Sequence, residues 1–284
     1  MLPEPGYHAL QYNVRPGRLF ADAHLRQALQ LCVDLPRVVD SATGGAGTPV
    51  YGPLMPGTWA YDLSVAKPAR DVAAARALIE NAGWTLGADG IYAKSGTRLA
   101  AVIVAKGDDA ERVKMADLIG AQARDCGMDL RAKPVSWDQI GNGLLQYPHL
   151  IPGTETPFDL YLGVWAQLPG DPDFALQNFI SAYITDAAHP DGNGDRPDWS
   201  GFSDPGLDAL VKQVKASYDR PEQVRLYQRA QQEIAAQQPY LFLWALNTYD
   251  VVRAAVSTVD GPLDLTVPNW AWQPERMVVE KAVQ

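Results

Sequence analysis

The sequence predicts an α/β protein with a mixed β-sheet flanked by helices. Segments with helical periodicity alternate along the chain with segments of strand-like alternation. Such alternation is typical of a sheet covered by helices. Apolar residues make up 47% of the 284 positions, which is enough material for a large core.

The first half of the chain opens with a strand followed by a helical pattern. Residues 7–15 alternate as a strand does, and residues 22–43 place apolar side chains on one helical face until Pro36 interrupts the pattern. The Gly- and Pro-rich stretch 44–59 has no periodicity and predicts a long surface loop. Residues 69–84 then predict a helix that stops at a glycine.

The same alternation continues to residue 253. We predict a hairpin and strand within 89–107, helices over 109–127, 204–218 and 221–239, and strands over 128–137, 158–167 and 240–253. The last of these strands is the most apolar in the chain. No internal repeat interrupts this order.

Charge and length exclude several classes of partner. The formal net charge is −9 and no basic stripe is present, so neither a nucleic acid nor a membrane surface is an expected partner. No apolar run approaches the roughly 20 residues that span a bilayer. The first residues also lack the basic and apolar regions of a secretion signal.

The two cysteines give little information by their spacing. Cys32 and Cys126 are far apart and form no C-x-x-C motif. We expect two buried free thiols, with a disulfide as the alternative.

The sequence contains partial matches to catalytic motifs, but each match lacks the neighbouring residues that the motif requires. Ser64 and Lys67 match S-x-x-K, but Pro68 follows directly and the partner motifs are missing. Ser203 lacks the closing glycine of a nucleophile elbow, and the stretch 191–196 lacks the glycine and glutamate of a calcium loop. We therefore expect no catalytic residue, no metal and no cofactor.

The stretch VWAQLPGDPDFALQNF, residues 164–179, is the most distinctive turn. Trp165 ends a strand and enters a loop, so it is the one tryptophan of eight that we expect at a ligand pocket and not in the core. Asp171 and Asp173 are expected to accept backbone hydrogen bonds and brace the turn. A pair of carboxylates for acid/base chemistry is the alternative.

Six ordered stretches carry a resemblance to a known family. They are LFADAHLRQALQLCVDLPRVV, GGAGTPVYGPLMPGTWAYD, ARALIENAGW, GVWAQLPGDPDFALQNF, WSGFSDPGLDALV and YQRAQQEIAAQQPYLFLW. In this order they resemble the family 5 extracellular solute-binding proteins, the dipeptide and oligopeptide receptors of ABC importers. The resemblance implies a periplasmic-binding-protein-like lobe of class II, with the first lobe largely missing from this chain.

The resemblance also implies a domain arrangement. Residues 1–14 would be a hinge-crossing strand, 15–245 the second ligand-binding lobe, and 246–284 the return crossing and a tail belonging to the absent first lobe. The whole receptor would be periplasmic or extracellular, anchored as a lipoprotein. Its partners would be the ligand, the permease subunits of the importer, and the missing N-terminal lobe.

The turn after Trp165 is where the resemblance predicts ligand contacts. In peptide receptors a tryptophan like Trp165 walls a side-chain pocket, and an aspartate three residues later pairs with the ligand's α-ammonium. Here Leu168 stands at that position, after Ala166 and Gln167. Either the ligand lacks a free amine or Asp171 substitutes.

Two further roles follow from the same resemblance. The Gly-Asp-Pro-Asp motif from Gly170 to Asp173 is retained and resembles the brace of this turn. Arg112 and Lys114 are candidates for binding a ligand carboxylate, because cations in that region serve this purpose in some relatives. The alternative is that they belong to the solvated face of their helix.

The resemblance predicts a solute receptor without covalent chemistry. The resemblance implies that two lobes close over a ligand of the peptide class and that the closed form delivers it to the permease. The alternatives are a receptor for a non-peptide solute such as an oligosaccharide, a blocked peptide or a metal chelate, and, from other classes, a hydrolase or an interaction module that acts as a lone lobe.

Overall fold

The structure is a computed structural model that describes residues 2–3, 6–166, 172–190, 197–248, 255–263 and 274–279. Its strands are β1 (Leu2–Pro3), β2 (Gly6–Tyr12), β3 (Gly47–Pro49), β4 (Thr85–Leu86), β5 (Tyr92–Lys94), β6 (Thr97–Arg98), β7 (Ala100–Lys106), β8 (Asp129–Val135), β9 (Leu160–Ala166), β10 (Tyr240–Thr248), β11 (Val256–Thr258), β12 (Gly261–Pro262) and β13 (Met277–Val279). Its helices are α1 (Ala23–Cys32), α2 (Leu35–Thr43), α3 (Val72–Asn81), α4 (Ala110–Asp125), α5 (Trp137–Gln139), α6 (Pro172–Leu176), α7 (Pro205–Ala216) and α8 (Arg220–Gln237).

The main sheet is mixed, as the sequence predicts. Its strands follow the order β1-β10-β2-β9-β7-β8, and β3 also pairs with β10. Strand β7 is parallel to β8 and β9, whereas β2 is antiparallel to both β9 and β10. The last residues of β7, β8, β9 and β10 and the first residue of β2 therefore share one edge of the sheet, which we call the upper edge.

Each face of the sheet carries its own core. On β2, Tyr7 and Ala9 point to one core, while Leu10 and Tyr12 point to the other, as the two-residue period of a strand requires. Helices α1 to α4 cover the first core and α7 and α8 cover the second. The result is a three-layer α/β lobe.

The long helices lie where periodicity predicts them, with one correction near Pro36. This residue does not interrupt a single helix, because it stands in the first turn of α2, where proline is well tolerated. Asp22 and Asp34 cap α1 and α2 by accepting backbone hydrogen bonds from His24 and Arg37. Across the described ranges, no helix combines the length and apolar character needed to cross a membrane.

The two cysteines form a disulfide, so our expectation of free thiols is wrong. Cys32, the last residue of α1, is bonded to Cys126, the residue that follows α4, with Cα atoms 6.1 Å apart. Both side chains are buried in the first core. Packing of α1 against α4 brings together two cysteines separated by 94 positions. Their spacing in the sequence could not predict this contact.

We expect this disulfide to be a major source of stability. Replacing both cysteines by alanine (Cys32→Ala with Cys126→Ala) should lower the free energy of unfolding by about 2 to 5 kcal/mol, since the closed loop is long and its closure restricts the unfolded chain. Urea unfolding of both proteins measures the difference. A reductant should lower the midpoint of the wild type and leave that of the double variant unchanged; equal wild-type midpoints with and without reductant would contradict the expectation.

Candidate functional site

The upper edge gathers the carboxyl ends of three parallel strands, which is where open α/β sheets bind ligands. An open groove of about 470 Å³ lies there between the ends of β7 and β8. Its lining includes Asp108, Val135 and Trp137. Lys106 pairs with Asp108 at 3.1 Å beside this groove. The arrangement offers apolar surface, charge and backbone groups to a ligand.

Trp137 is exposed, which corrects our expectation that it belongs to the core. Its side chain is 52% exposed in the first position of α5, directly after β8. Ser136 and Gln139 fix this short helix with a reciprocal capping box. The Ser-x-x-Gln spacing after a strand was a readable signal for this residue, and our sequence reasoning missed it.

Trp165 lies in the second core, which corrects the opposite expectation. It is 3% exposed, and its ring lies 6.1 Å from those of Tyr7 and Tyr161 and 4.8 Å from that of Tyr240. Gly163 leaves room for this cluster, because a Cβ there would lie 2.9 Å from the Trp165 ring. Trp165 therefore packs inside the second core at the end of β9, and its predicted contact with a ligand stays a prediction.

Arg112 is brought to the upper edge in the first turn of α4 and is buried there. The residue is 7% exposed, so a solvated helix face does not describe it. Its Nε lies 2.8 Å from Asp109 Oδ2, and Asp109 caps α4 by accepting from the Arg112 backbone N–H. Among the described residues, Arg112 Nη1 has no hydrogen-bond partner. Lys114 is engaged elsewhere, because it donates to the carbonyl of Ser41.

His8 is a second buried polar group at this edge, and no sequence pattern pointed to it. It is 9% exposed, its ring stacks on that of Trp244 at 3.9 Å, and its Nδ1 has no partner within the described part of the chain. Burial, followed by the charge of Arg112, lowers the pKa of His8 to about 4. The imidazole is therefore neutral at pH 7.

The distinctive turn is only partly described. Gln167, Leu168, Gly170 and Asp171 lie outside the described residues, so their predicted roles stay predictions. Ala166 ends β9 and is exposed.

Asp173 stands in the first turn of α6, where its carboxylate lies 3.2 Å from the ammonium of Lys215 in α7. This ion pair ties the segment after β9 to the outer helix layer. A brace through backbone N–H groups stays a prediction.

One buried pair has the geometry of a nucleophile and its base but is closed to a substrate. Thr185 Oγ1 lies 2.7 Å from His149 Nε2, and His149 Nδ1 donates to the carbonyl of Leu144 at 3.0 Å. Both residues are fully buried, and Arg15 donates to Thr185 as well. This network joins loops at the lower edge. In the described ranges, no group of three or more His, Cys, Asp or Glu side chains converges as metal ligands would.

Asp198 belongs to the same buried region. It accepts hydrogen bonds from the backbone N–H and the hydroxyl of Ser200. Its Oδ2 has no partner among the residues that the structure describes. Burial raises the pKa of Asp198 to about 7, against the opposing effects of Ser200 and of the Arg15 charge.

The fold is that of an α/β lobe with a candidate binding edge, and comparison with known families specifies its class further. Residues 2–186 match the model of the bacterial extracellular solute-binding proteins, family 5 Middle. This match covers more than half of the chain, which therefore belongs to that family. Its members are binding proteins and not enzymes, and they act in the periplasm or outside the cell.

Curated relatives are similar over most of this chain. Protein XP55 of Streptomyces lividans is 27% identical over 243 residues, which cover 84% of this chain and 41% of the relative. The oligopeptide-binding protein AppA of Bacillus subtilis is 25% identical over 234 residues, covering 81% of this chain and 40% of the relative. The chain thus spans about two fifths of the length of these relatives.

Solved structures confirm the predicted fold. AppA of Bacillus subtilis in complex with a nonapeptide superposes with a TM-score of 0.73 at 21% identity, over 99% of this chain and 52% of that one. NikZ of Campylobacter jejuni in complex with Ni(L-His) gives a TM-score of 0.74 at 21% identity, over 97% of this chain and 52% of that one. In both superpositions, this chain covers about half of the solved protein.

We predict that Asp198 makes stability depend on pH near neutrality. Its pKa is raised in the folded state, so its favourable contribution is complete below about pH 4 and is lost as the pH rises through about 7. The variant Asp198→Asn removes this loss. Its free energy of unfolding relative to the wild type should therefore increase between pH 5 and pH 7, by up to roughly 1.4 kcal/mol per pH unit.

Chemical denaturation at several pH values tests this difference. Asp186→Asn is the matched control, because Asp186 is exposed, its pKa is lowered, and it stays ionised over the same range. Parallel pH profiles for Asp198→Asn and the wild type would show that Asp198 does not titrate there.

Proposed function

We propose that this chain forms the second lobe and the C-terminal tail of a solute-binding receptor of an ABC importer, with peptides as the ligand class. The observation that carries the proposal is the upper edge of a family 5 lobe, where exposed Trp137 and buried Arg112 flank the carboxyl ends of parallel strands. The permease of the importer would be the partner. The disulfide between Cys32 and Cys126 agrees with a location outside the cytosol.

The division into domains is part of this proposal. Strands β2 and β10 lie side by side and antiparallel, and β1 also pairs antiparallel with β10, Pro3 with Asn247 and Leu2 with Thr248. Both strands therefore leave the lobe at the same edge. Residues 1–14 and the start of 246–284 would be the two hinge crossings, 15–245 the lobe, and the remaining tail part of the first lobe. Full-length protein would be anchored as a lipoprotein.

The ligand contacts are assigned by position. Arg112 supplies a positive charge for a ligand carboxylate, and Trp137 supplies an exposed aromatic wall. Ala166, with the following Gln167 and Leu168, would line the strand end. Leu168 offers no charge for a ligand ammonium, and Asp171 is the alternative partner.

A second candidate ligand is a solute without a free amine, such as an N-blocked peptide, an oligosaccharide or a metal chelate. Leu168 favours it, because a buried ammonium without a counter-charge is costly. NikZ, whose fold this lobe shares, was solved with Ni(L-His). Both candidates use the same two-lobed cleft and the same transport role.

We predict that free-amine dipeptides bind poorly and N-acetylated peptides bind better. The test is calorimetric titration of the chain joined to its native first lobe, as wild type and as Leu168→Asp. The substitution should shift preference toward free amines, because it restores an ion pair and leaves an unpaired carboxylate facing neutral ligands. If the wild type binds free-amine peptides at micromolar strength, about −8 kcal/mol, and acetylation abolishes this, Leu168 is not at the amine site.

Trp137 provides a test of the cleft itself. Trp137→Ala should weaken binding of any ligand that the joined receptor takes by about 1 to 3 kcal/mol, as truncation of an aromatic anchor does. Leu86→Ala is the matched control, since Leu86 is an exposed apolar residue in β4 of a separate small sheet. Equal affinities for wild type and Trp137→Ala would place the ligand elsewhere.

A further inference from the structure

Helices α1 and α4 end side by side, at the two residues that the disulfide joins. Cys32 is the last residue of α1, and Cys126 follows Asp125, the last residue of α4. The last carbonyl groups of a helix lack partners within the helix and carry partial negative charge. Two C-terminal ends at such close range repel each other unless a positive group lies between them.

Arg70 places a positive group at this junction and contacts both helix ends. Its Nε donates to the carbonyl of Cys32 at 2.8 Å, and its Nη2 donates to the carboxylate of Asp125 at 2.6 Å. Arg76, in α3, donates to the carbonyl of Asp125 at 2.7 Å. The planar guanidinium of Arg70 fixes the distance between its two partners, because its donors point in set directions. One side chain thus connects the same two chain segments as the disulfide does.

The backbone beside Arg70 is attached to α1 as well. The N–H of Asp71 donates to the carbonyl of Leu31 at 2.8 Å, and the Asp71 carboxylate caps α3. A further contact joins the two helices directly, because the N–H of Asp34, just after α1, donates to the side-chain oxygen of Gln122 in α4 at 2.7 Å. None of these hydrogen bonds involves sulfur, so reduction of the disulfide removes none of their donors or acceptors.

We propose that Arg70 is a positioning residue for disulfide formation: it holds the ends of α1 and α4 together in the reduced, folded lobe, so that Cys32 and Cys126 meet as thiols before they are oxidised. The lobe thus folds first and receives its covalent link afterwards. Because Arg70 and the disulfide constrain the same two segments, each strengthens the other. This inference does not depend on the ligand or on the receptor function.

Oxidation of the two thiols consumes one glutathione disulfide. The thiolate of one cysteine attacks a sulfur of the oxidant, which forms a mixed disulfide and releases one glutathione thiolate. The thiolate of the second cysteine then attacks the cysteine sulfur of the mixed disulfide, forms the bond between Cys32 and Cys126 and releases the second glutathione. The protein loses two electrons and two protons, which convert the oxidant into two molecules of reduced glutathione. The equilibrium of the second step reports how well the two cysteines are aligned.

The equilibrium with glutathione measures this alignment as an effective concentration of one thiol at the other. The full 284-residue chain is equilibrated without denaturant at several ratios of reduced to oxidised glutathione, and free thiols are counted after acid quench and alkylation. Burial of both cysteines slows exchange but does not change the equilibrium. We expect Arg70→Gln to lower the effective concentration by about three- to tenfold, as loss of a partly exposed charged hydrogen bond does. Equal values for wild type and Arg70→Gln would overturn the proposal.

Three further variants separate the bridge from the charge. Arg70→Lys keeps the charge but has no planar fork to contact both helix ends, so it should recover only part of the loss. Asp125→Asn weakens one side of the bridge and should lower the effective concentration as well. Arg98→Gln is the matched control, because Arg98 contacts the carboxylates of Asp89 and Asp129 and neither helix end. It should leave the effective concentration unchanged; a loss as large as that of Arg70→Gln would contradict a role for the bridge.

Unfolding by urea distinguishes positioning from a merely structural role. Arg70→Gln is compared in the oxidised chain and in the chain with Cys32→Ala and Cys126→Ala. Since a positioning residue acts on the distance that the disulfide spans, Arg70→Gln should raise the unfolding equilibrium constant by a further factor of about three to ten when the disulfide is present. Equal effects in the two backgrounds would mean that Arg70 only stabilises the fold, and the proposal would be wrong.

The order of folding and oxidation can be observed directly. With a phosphine reductant present, the wild-type chain should keep its near-ultraviolet circular dichroism and unfold cooperatively in urea, at a lower midpoint than the oxidised chain. When the reduced, unfolded chain is diluted into glutathione buffer, the near-ultraviolet signal should return before the free thiols disappear. A reduced chain without cooperative unfolding, or thiols that disappear first, would show that the bond precedes the fold and would overturn the proposal.

Discussion

The pairing of β2 with both β9 and β10 is the constraint on which the rest of this lobe depends. Strand β2 runs antiparallel to each neighbour, with Gly6 opposite Ala166 and Tyr12 opposite Leu160. This register places β2 and β10 side by side in the main sheet, next to the parallel strands β7 to β9. A slip of one residue would exchange the two faces of β2 and bring the wrong side chains into each core.

The polar side chains near the two ends of β2 differ in their hydrogen bonding. At its lower end, Arg15 donates to Trp199, Thr185 and Asn13, and the adjoining loops are fixed by hydrogen bonds. At its upper end, His8 presents a buried nitrogen without a partner. Unsatisfied buried groups lower stability, and Asp198 Oδ2 near the lower edge is another such group among the described residues, so this cost is present at both ends of the sheet.

Much of this architecture was predictable from local sequence, because helix periodicity, strand alternation and the left-handed glycines Gly83 and Gly127 are properties of neighbouring residues. Features that depend on contacts between residues distant in the sequence could not be predicted in this way. Alternation along β9 predicts that Trp165 and Val164 face opposite sides of the sheet. It does not predict that the ring of Tyr240 packs against that of Trp165. For the same reason, the disulfide and the burial of Arg112 needed the folded chain, whereas the position of Trp137 in a short capped helix could have been predicted from the Ser-x-x-Gln spacing.

If the upper edge binds the ligand as proposed, burial of Arg112 would also set how strongly it discriminates between ligand charges. A charge on a solvated helix face is screened by water and salt within about 10 Å. Removed from solvent, the same guanidinium interacts more strongly with a carboxylate and repels an ammonium more strongly. In the sequence, Leu168 stands two positions after Ala166 and supplies no counter-charge for a cation. Under the proposed function, a ligand with one negative end and no positive end would match both residues, and a zwitterionic ligand would match only Arg112.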